Sequence, residues 1–171
     1  MEKLVNSGLR APAYLTVYGR AALAAAFLSA VTDRLGLWGS YGMPNVAWGD
    51  MSHFLAYAAT LNPWFPGSVI PALGLIVTIL ETTLGVALLV GFQTRRAAHL
   101  SGWLILAFGI GMSAGTGVKS ALNASVFAAS ASGFLLARAR RFPLSVDALR
   151  EQNARVSGPD PRMPRVADRQ P

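Results

Sequence analysis

Residues 68–90, SVIPALGLIVTILETTLGVALLV, form an apolar run with one carboxylate, Glu81, near its middle. A hydrocarbon layer takes roughly 20 helical residues to cross, and an ionisable group inside it costs at least about 2.5 kcal/mol on insertion scales unless something offsets that cost. On a helix, Gly74, Thr78, Glu81 and Gly85 share one stripe of small and hydroxyl residues, while Ile76, Ile79, Leu80, Val86 and Leu89 lie mostly elsewhere. That stripe is expected to face protein, and the aliphatic side to face lipid.

The rest of the chain agrees with a membrane setting. Of its 171 residues 53% are hydrophobic and only 13% charged, and the mean hydropathy is +0.41. A net charge of +7 would suggest nucleic acid in a soluble protein. Here the basic residues sit at the ends of apolar runs and in the tail, as the positive-inside rule requires, so no nucleic-acid partner is expected. The absence of cysteine excludes disulfides, thiol catalysis and thiolate-held metal or iron–sulfur centres.

Hydropathy predicts an all-α four-helix transmembrane bundle with spans at residues 12–32, 68–90, 97–113 and 118–137. The first run is too long for a typical signal core, is interrupted by Arg20, and ends at Asp33 and Arg34 as membrane helices do. Between the first two spans lies a Gly-, Pro- and aromatic-rich stretch expected at the headgroup zone. Within it residues 50–61 read as a short interfacial helix. Residues 1–141 thus form a four-span membrane domain, and residues 142–171 a basic cytoplasmic tail: a short helix with Ser145 as N-cap, then disorder from Arg155. Lys3 and Arg10, then Arg95 and Arg96, then the tail arginines alternate with sides holding Arg34 and Lys119 alone. Both termini are therefore expected on the cytoplasmic side of a membrane, the bacterial inner membrane being the expected one.

Glu81 needs a partner, and the sequence points to Arg20. It lies about eight residues into the first span and Glu81 about nine residues from the end of the second, so at ~1.5 Å per residue their depths agree. Such a pair could fix helix register, or it could handle protons or a polar ligand beside a cavity. Thr78 shares the Glu81 stripe. Asp50, His53 and Tyr57 share one face of the interfacial helix, where they could pass protons to a lipid-soluble molecule or simply be wet. Asn123 and Ser130 could face the Glu81 interior or serve as interhelical hydrogen bonds. His99 is near the cytoplasmic side and His53 on the other, which argues against a shared haem iron or a zinc site.

The acid in the second span, the segment ETTLGVALLVGFQTRRAAHLSGWLILAFGIGM, the NPWFP before it and the SVDAL after the fourth span resemble the DoxX-like membrane protein family over most of residues 12–150. Glu81, Gly85, Gly91, Thr94 and Arg95 make the most specific part of the likeness. Arg34-Leu35 stands where relatives often carry Lys-Leu, and the Asp50 region is longer than the usual loop. The resemblance implies a four-helix membrane protein, some relatives of which are subunits of quinone-linked oxidoreductases such as thiosulfate:quinone oxidoreductase, or partners of redox-protective complexes. The expectation is a quinone- or lipophile-binding subunit working with a redox partner protein, with Glu81 and Arg20 as the chemical pair, His99, Asn123, Thr78, His53 and Tyr57 as binding residues, no metal and no covalent cofactor. A proton-coupled carrier or channel and a non-catalytic scaffold are the alternatives, and a homo-oligomer is compatible with each.

Overall fold

The computed structural model describes residues 12–156, the last two by backbone only. Lys3, Arg10 and the tail beyond residue 156 lie outside the described residues. The chain is all-helical, with no strand among the described residues. Helix α1 spans Ala13–Arg34, α2 Met51–Leu61, α3 Ile70–Val90 after a short 3-10 turn at Gly67–Val69, α4 Thr94–Thr116, α5 Val118–Asn123, α6 Val126–Ala137 and α7 Val146–Val156. Helix α1, helix α3 with its leading turn, and helix α4 are each long and apolar enough to cross a bilayer, which makes this an integral membrane protein in contact with lipid.

The helix boundaries follow local chemistry. Asp50 caps α2, its carboxylate accepting from the His53 amide at 2.9 Å. Pro71 sits in the first turn of α3, where its missing N–H is not needed, and Gly91 ends that helix in the left-handed region at φ 72°. Ser145 caps α7 as its sequence predicts, accepting from the Ala148 amide at 3.0 Å.

One expectation is corrected. Residues 118–137 do not form a continuous helix: α5 ends at Asn123, and Ser125 takes φ 55° before α6 begins. Asn and Ser are weak helix formers, and the break coincides with the seating of Val126 and Phe127 against Gly109 on α4. Helix α6 has 12 residues; at ~1.5 Å per residue it is shorter than a ~30 Å hydrocarbon layer.

The helices pack as two antiparallel pairs, α1 with α3 and α4 with α6, and α3 also contacts α4. In lipid there is no hydrophobic drive between helices, so close backbone contact matters more than apolar area. A Cβ on Gly133 would lie 2.9 Å from the Gly102 nitrogen and 3.0 Å from the Ala98 oxygen. Only glycine lets α6 lie that near α4, and Ser130 then donates across to the Gly102 carbonyl at 2.8 Å. One half of the molecule is a packed core of Leu23, Ala24 and Phe27 with Leu84 and Leu88, closed by Ala97, Ala98 and Ile105. In the other half α2 lies across the bundle, burying Phe54 and Ala58 against Ile70.

Candidate functional site

Glu81 is buried at 3% exposure, as are Gly74 and Gly85 on the same stripe, whereas Ile76, Ile79, Leu80, Val86 and Leu89 are exposed at the lipid side. Its cation is Arg34, the last residue of α1, whose Nη1 pairs with Glu81 Oε2 and also donates to Thr78 Oγ1 at 3.0 Å. Thr78 in turn donates to the Gly74 carbonyl at 2.8 Å, which fixes its oxygen as an acceptor toward Arg34. The guanidinium carbon lies 3.7 Å from the centre of the Phe54 ring and 5.1 Å from that of Trp48. Arg34 is 4% exposed, and its Nε has no hydrogen-bond partner among the described residues.

The expected Arg20–Glu81 pair is not formed. Arg20 is buried, but Nε donates to the Leu88 carbonyl at 3.0 Å and Nη2 to that of Leu89 at 3.2 Å, while Nη1 reaches Pro143 O at 2.8 Å and Leu144 O at 3.1 Å. The physical reason is the offset of the two helices. Arg20 stands beside the open end of α3, about seven residues or ~10 Å from Glu81, where the last carbonyls of a helix have no intrahelical donors. A five-donor guanidinium satisfies several of them at once.

The loop after α1 is held by the neighbouring acid. Asp33 accepts from the amides of Ala47 at 2.9 Å, Trp48 at 3.0 Å and Gly49 at 2.8 Å, which lays Trp48 over the site. Between α1, α2, α3, α4 and α6 there is a cavity of about 570 Å³ whose wall includes Arg34, Glu81, Tyr57, Asn62, Phe54, Leu73, Val77, Phe108 and Met112. Ile76 and Leu80, exposed at 55% and 43%, also line it, so it borders the lipid-facing side of α3. The volume falls within the range of small-molecule sites, and the lining is apolar with a few converging polar groups, the usual composition of such sites.

The remaining candidates divide. Tyr57 lines the cavity, and burial raises the pKa of its phenol, so it is a neutral donor at ordinary pH. His53 instead bonds Asp50 Oδ2 through Nδ1 at 2.8 Å and stacks on Tyr41 with ring centres 3.8 Å apart. The Asp50 carboxyl is held below its usual range, first by the His53 amide and then by the His53 ring. His99 is on the exposed side of α4, accepting from Trp103 Nε1 at 3.1 Å and packing edge-on to Phe134. Asn123 is exposed at the end of α5, away from the cavity wall. Ser130 is committed to Gly102, and among the described residues no group of His, Cys, Asp or Glu is arranged to hold a metal ion.

Sequence reasoning missed Arg34 and Asn62. Arg34 ends an apolar run and reads as a flanking charge, yet it lies 14 residues from Arg20, nearly four whole turns, and so on nearly the same helix face. Asn62 follows α2 and donates Nδ2 to the Ala58 carbonyl at 2.9 Å, an end-cap that also places it at the cavity.

Comparison with known protein families, with curated proteins and with solved structures finds no match to this chain.

Proposed function

We propose that this chain is a DoxX-like membrane protein that binds a quinone or comparable lipid-soluble molecule as a subunit of a membrane redox complex. The observation that carries the reading is the apolar cavity built directly against the buried Arg34–Glu81 pair and bordering lipid at Ile76 and Leu80. A flat, apolar molecule with carbonyl acceptors fits this chemistry: the walls are hydrophobic, and Arg34 carries a buried N–H that has no partner among the described residues. In this reading α5 and α6 together make a fourth crossing of the bundle. The termini are cytoplasmic in a bacterial inner membrane, and the cavity lies in the outer half.

A bound quinone would supply a two-electron, two-proton couple. Arg34 then donates to its acceptor oxygen and holds negative charge there, Glu81 holds or moves a proton at Oε2, and Tyr57 donates from its phenol. Trp48 and Phe54 cover the guanidinium and keep water from it. A chain without cysteine has no place for an iron–sulfur cluster, so electrons come from a partner protein. The carrier alternative gains nothing from the geometry, because the other half of the bundle is filled by Phe27, Leu84, Leu88 and Ile105.

The test is mass spectrometry of small molecules retained by protein purified in a mild detergent, comparing wild type, Glu81→Gln and Ala107→Trp. Ala107 lines the cavity and is exposed, so its replacement fills space without cutting the core. A quinone near one per chain in wild type and absent from Ala107→Trp supports the reading. Nothing retained beyond bulk lipid in any of the three overturns it.

A further inference from the structure

At the opposite end of the molecule from the Arg34 cavity, α3 gives way to α4 through Gly91, Phe92 and Gln93, and α7 folds back onto this corner. Asp147 on α7 accepts from the amides of Gln93 at 2.9 Å and Thr94 at 2.7 Å, and its own amide donates to Gly91 O at 3.0 Å. A recess of about 410 Å³ lies between these elements, and Arg95, Arg96, Arg140 and Arg150 all line it. Two carboxylates also face it, Asp147 and Glu151, of which Asp147 is engaged by the α4 amides.

Four guanidinium groups against two carboxylates leave the recess with an excess of two positive charges, which favours a further anion. The contacts of three of these arginines occupy only part of each side chain's fork: Arg96 donates to Gln93 Oε1 at 3.1 Å, Arg95 to Ala139 O at 3.1 Å, and Arg150 lies over the Phe92 ring at 4.7 Å; Arg140 is also engaged. Each guanidinium has five N–H donors and suits bidentate binding of a phosphate.

Position selects the source of the phosphate. The recess stands where two membrane-spanning helices meet the water side; Leu100 and Trp103, one and two turns after Arg96 on α4, and Leu89 and Val90 at the end of α3 are exposed apolar side chains. A charged pocket above an apolar flank matches both halves of a phospholipid. We propose that this corner is a specific site for an anionic glycerophospholipid, its phosphate held by Arg95, Arg96, Arg140 and Arg150 and its acyl chains along α3 and α4. The proposal needs only that α3 and α4 span the membrane, and it stands apart from the reading of the Arg34 cavity.

The experiment is native mass spectrometry of the full chain in mild detergent, titrated with phosphatidylglycerol or phosphatidylcholine of the same acyl chains. The expected result is one phosphatidylglycerol bound at least tenfold more tightly than phosphatidylcholine, with that preference lost in the Arg96→Gln/Arg140→Gln variant and largely kept in Arg96→Lys/Arg140→Lys. Both side chains are exposed, and a melting curve establishes that each variant is folded. Equal retention of the two lipids by wild type overturns the proposal, as does an unchanged preference in the folded glutamine variant. Displacement of the lipid by millimolar inorganic phosphate also overturns it, since the site is then one for free phosphate.

Discussion

Asp33 and Arg34 are consecutive residues in the last turn of α1, both buried, and their charges serve different partners: Asp33 holds the amides of residues 47–49, and Arg34 reaches Thr78 and Glu81. One turn of helix thus ties the aromatic loop and α3 together and places Trp48 over the ion pair. Replacing Asp33 by Ala leaves three amides without their acceptor. We expect a loss of about 2–3 kcal/mol, read as a lower melting temperature in detergent, with faster hydrogen exchange at Ala47, Trp48 and Gly49.

The Arg34–Glu81 pair is buried on both sides, so breaking it from one side should cost more than removing it. Arg34→Met and Glu81→Leu alone are each expected to destabilise by about 3–5 kcal/mol, because each strands an uncompensated charge. The double variant should fall well short of the sum of the two. A thermal double-mutant cycle checks this, and additive losses would argue that the two side chains do not interact. If the pair also holds the ligand, the stable double variant will carry none.

Arg20 acts as a clamp on backbone carbonyls at the far end of α3 and on Pro143 and Leu144. Arg20→Met should cost roughly 2–4 kcal/mol, and limited proteolysis should cut sooner in the segment around α7. Arg20→Lys should rescue little, because a single ammonium cannot reach carbonyls on two segments as a planar fork does. Full rescue by lysine would refute the clamp.

Asp147 gives the contact between α7 and α4 a pH dependence. Burial opposes its ionisation, but the amides of Thr94 and Gln93 and the Arg150 charge outweigh that and hold its carboxyl below the usual range. A depressed folded-state pKa contributes stability above the unfolded value near 3.8 and loses it as pH falls through the folded value. Hydrogen exchange at Gln93 and Thr94 should therefore stay slow at neutral pH and accelerate below about pH 4. In Asp147→Asn it should be fast throughout that range.

Two glycines should behave oppositely when a methyl group is added. At Gly133 the new Cβ meets backbone of α4 at 2.9 Å, whereas at Gly111 its nearest neighbour is Leu61 O at 3.8 Å. Gly133→Ala should destabilise by about 1–3 kcal/mol, and Gly111→Ala should be near neutral. Melting temperatures of the two variants, measured side by side, test the α4–α6 contact directly.

Local chemistry alone was enough for much of this. The apolar run around Glu81, the small-residue stripe that carries it, the end of α3 at Gly91 and the Ser145 cap of α7 all depend on residues within a few turns of one another. Such features are written in periodicity and capping, and they follow from the residues themselves. What a buried carboxylate required, a cation on a neighbouring helix, was equally plain.

Which cation it found was decided by tertiary structure. Helix depth counted along the chain favoured Arg20, but the offset of α1 against α3 set Arg20 beside free carbonyls and left Arg34, with its long side chain, to reach Glu81. The break before α6 and the use of Asp147 as a cap for a helix 53 residues away have the same origin. So does the cavity, which needs five helices to enclose it. Hydropathy and caps depend on neighbours in sequence, whereas ion-pair choice and enclosed space depend on how whole helices slide past one another, and that is set by the sum of many packing contacts rather than by any one pattern.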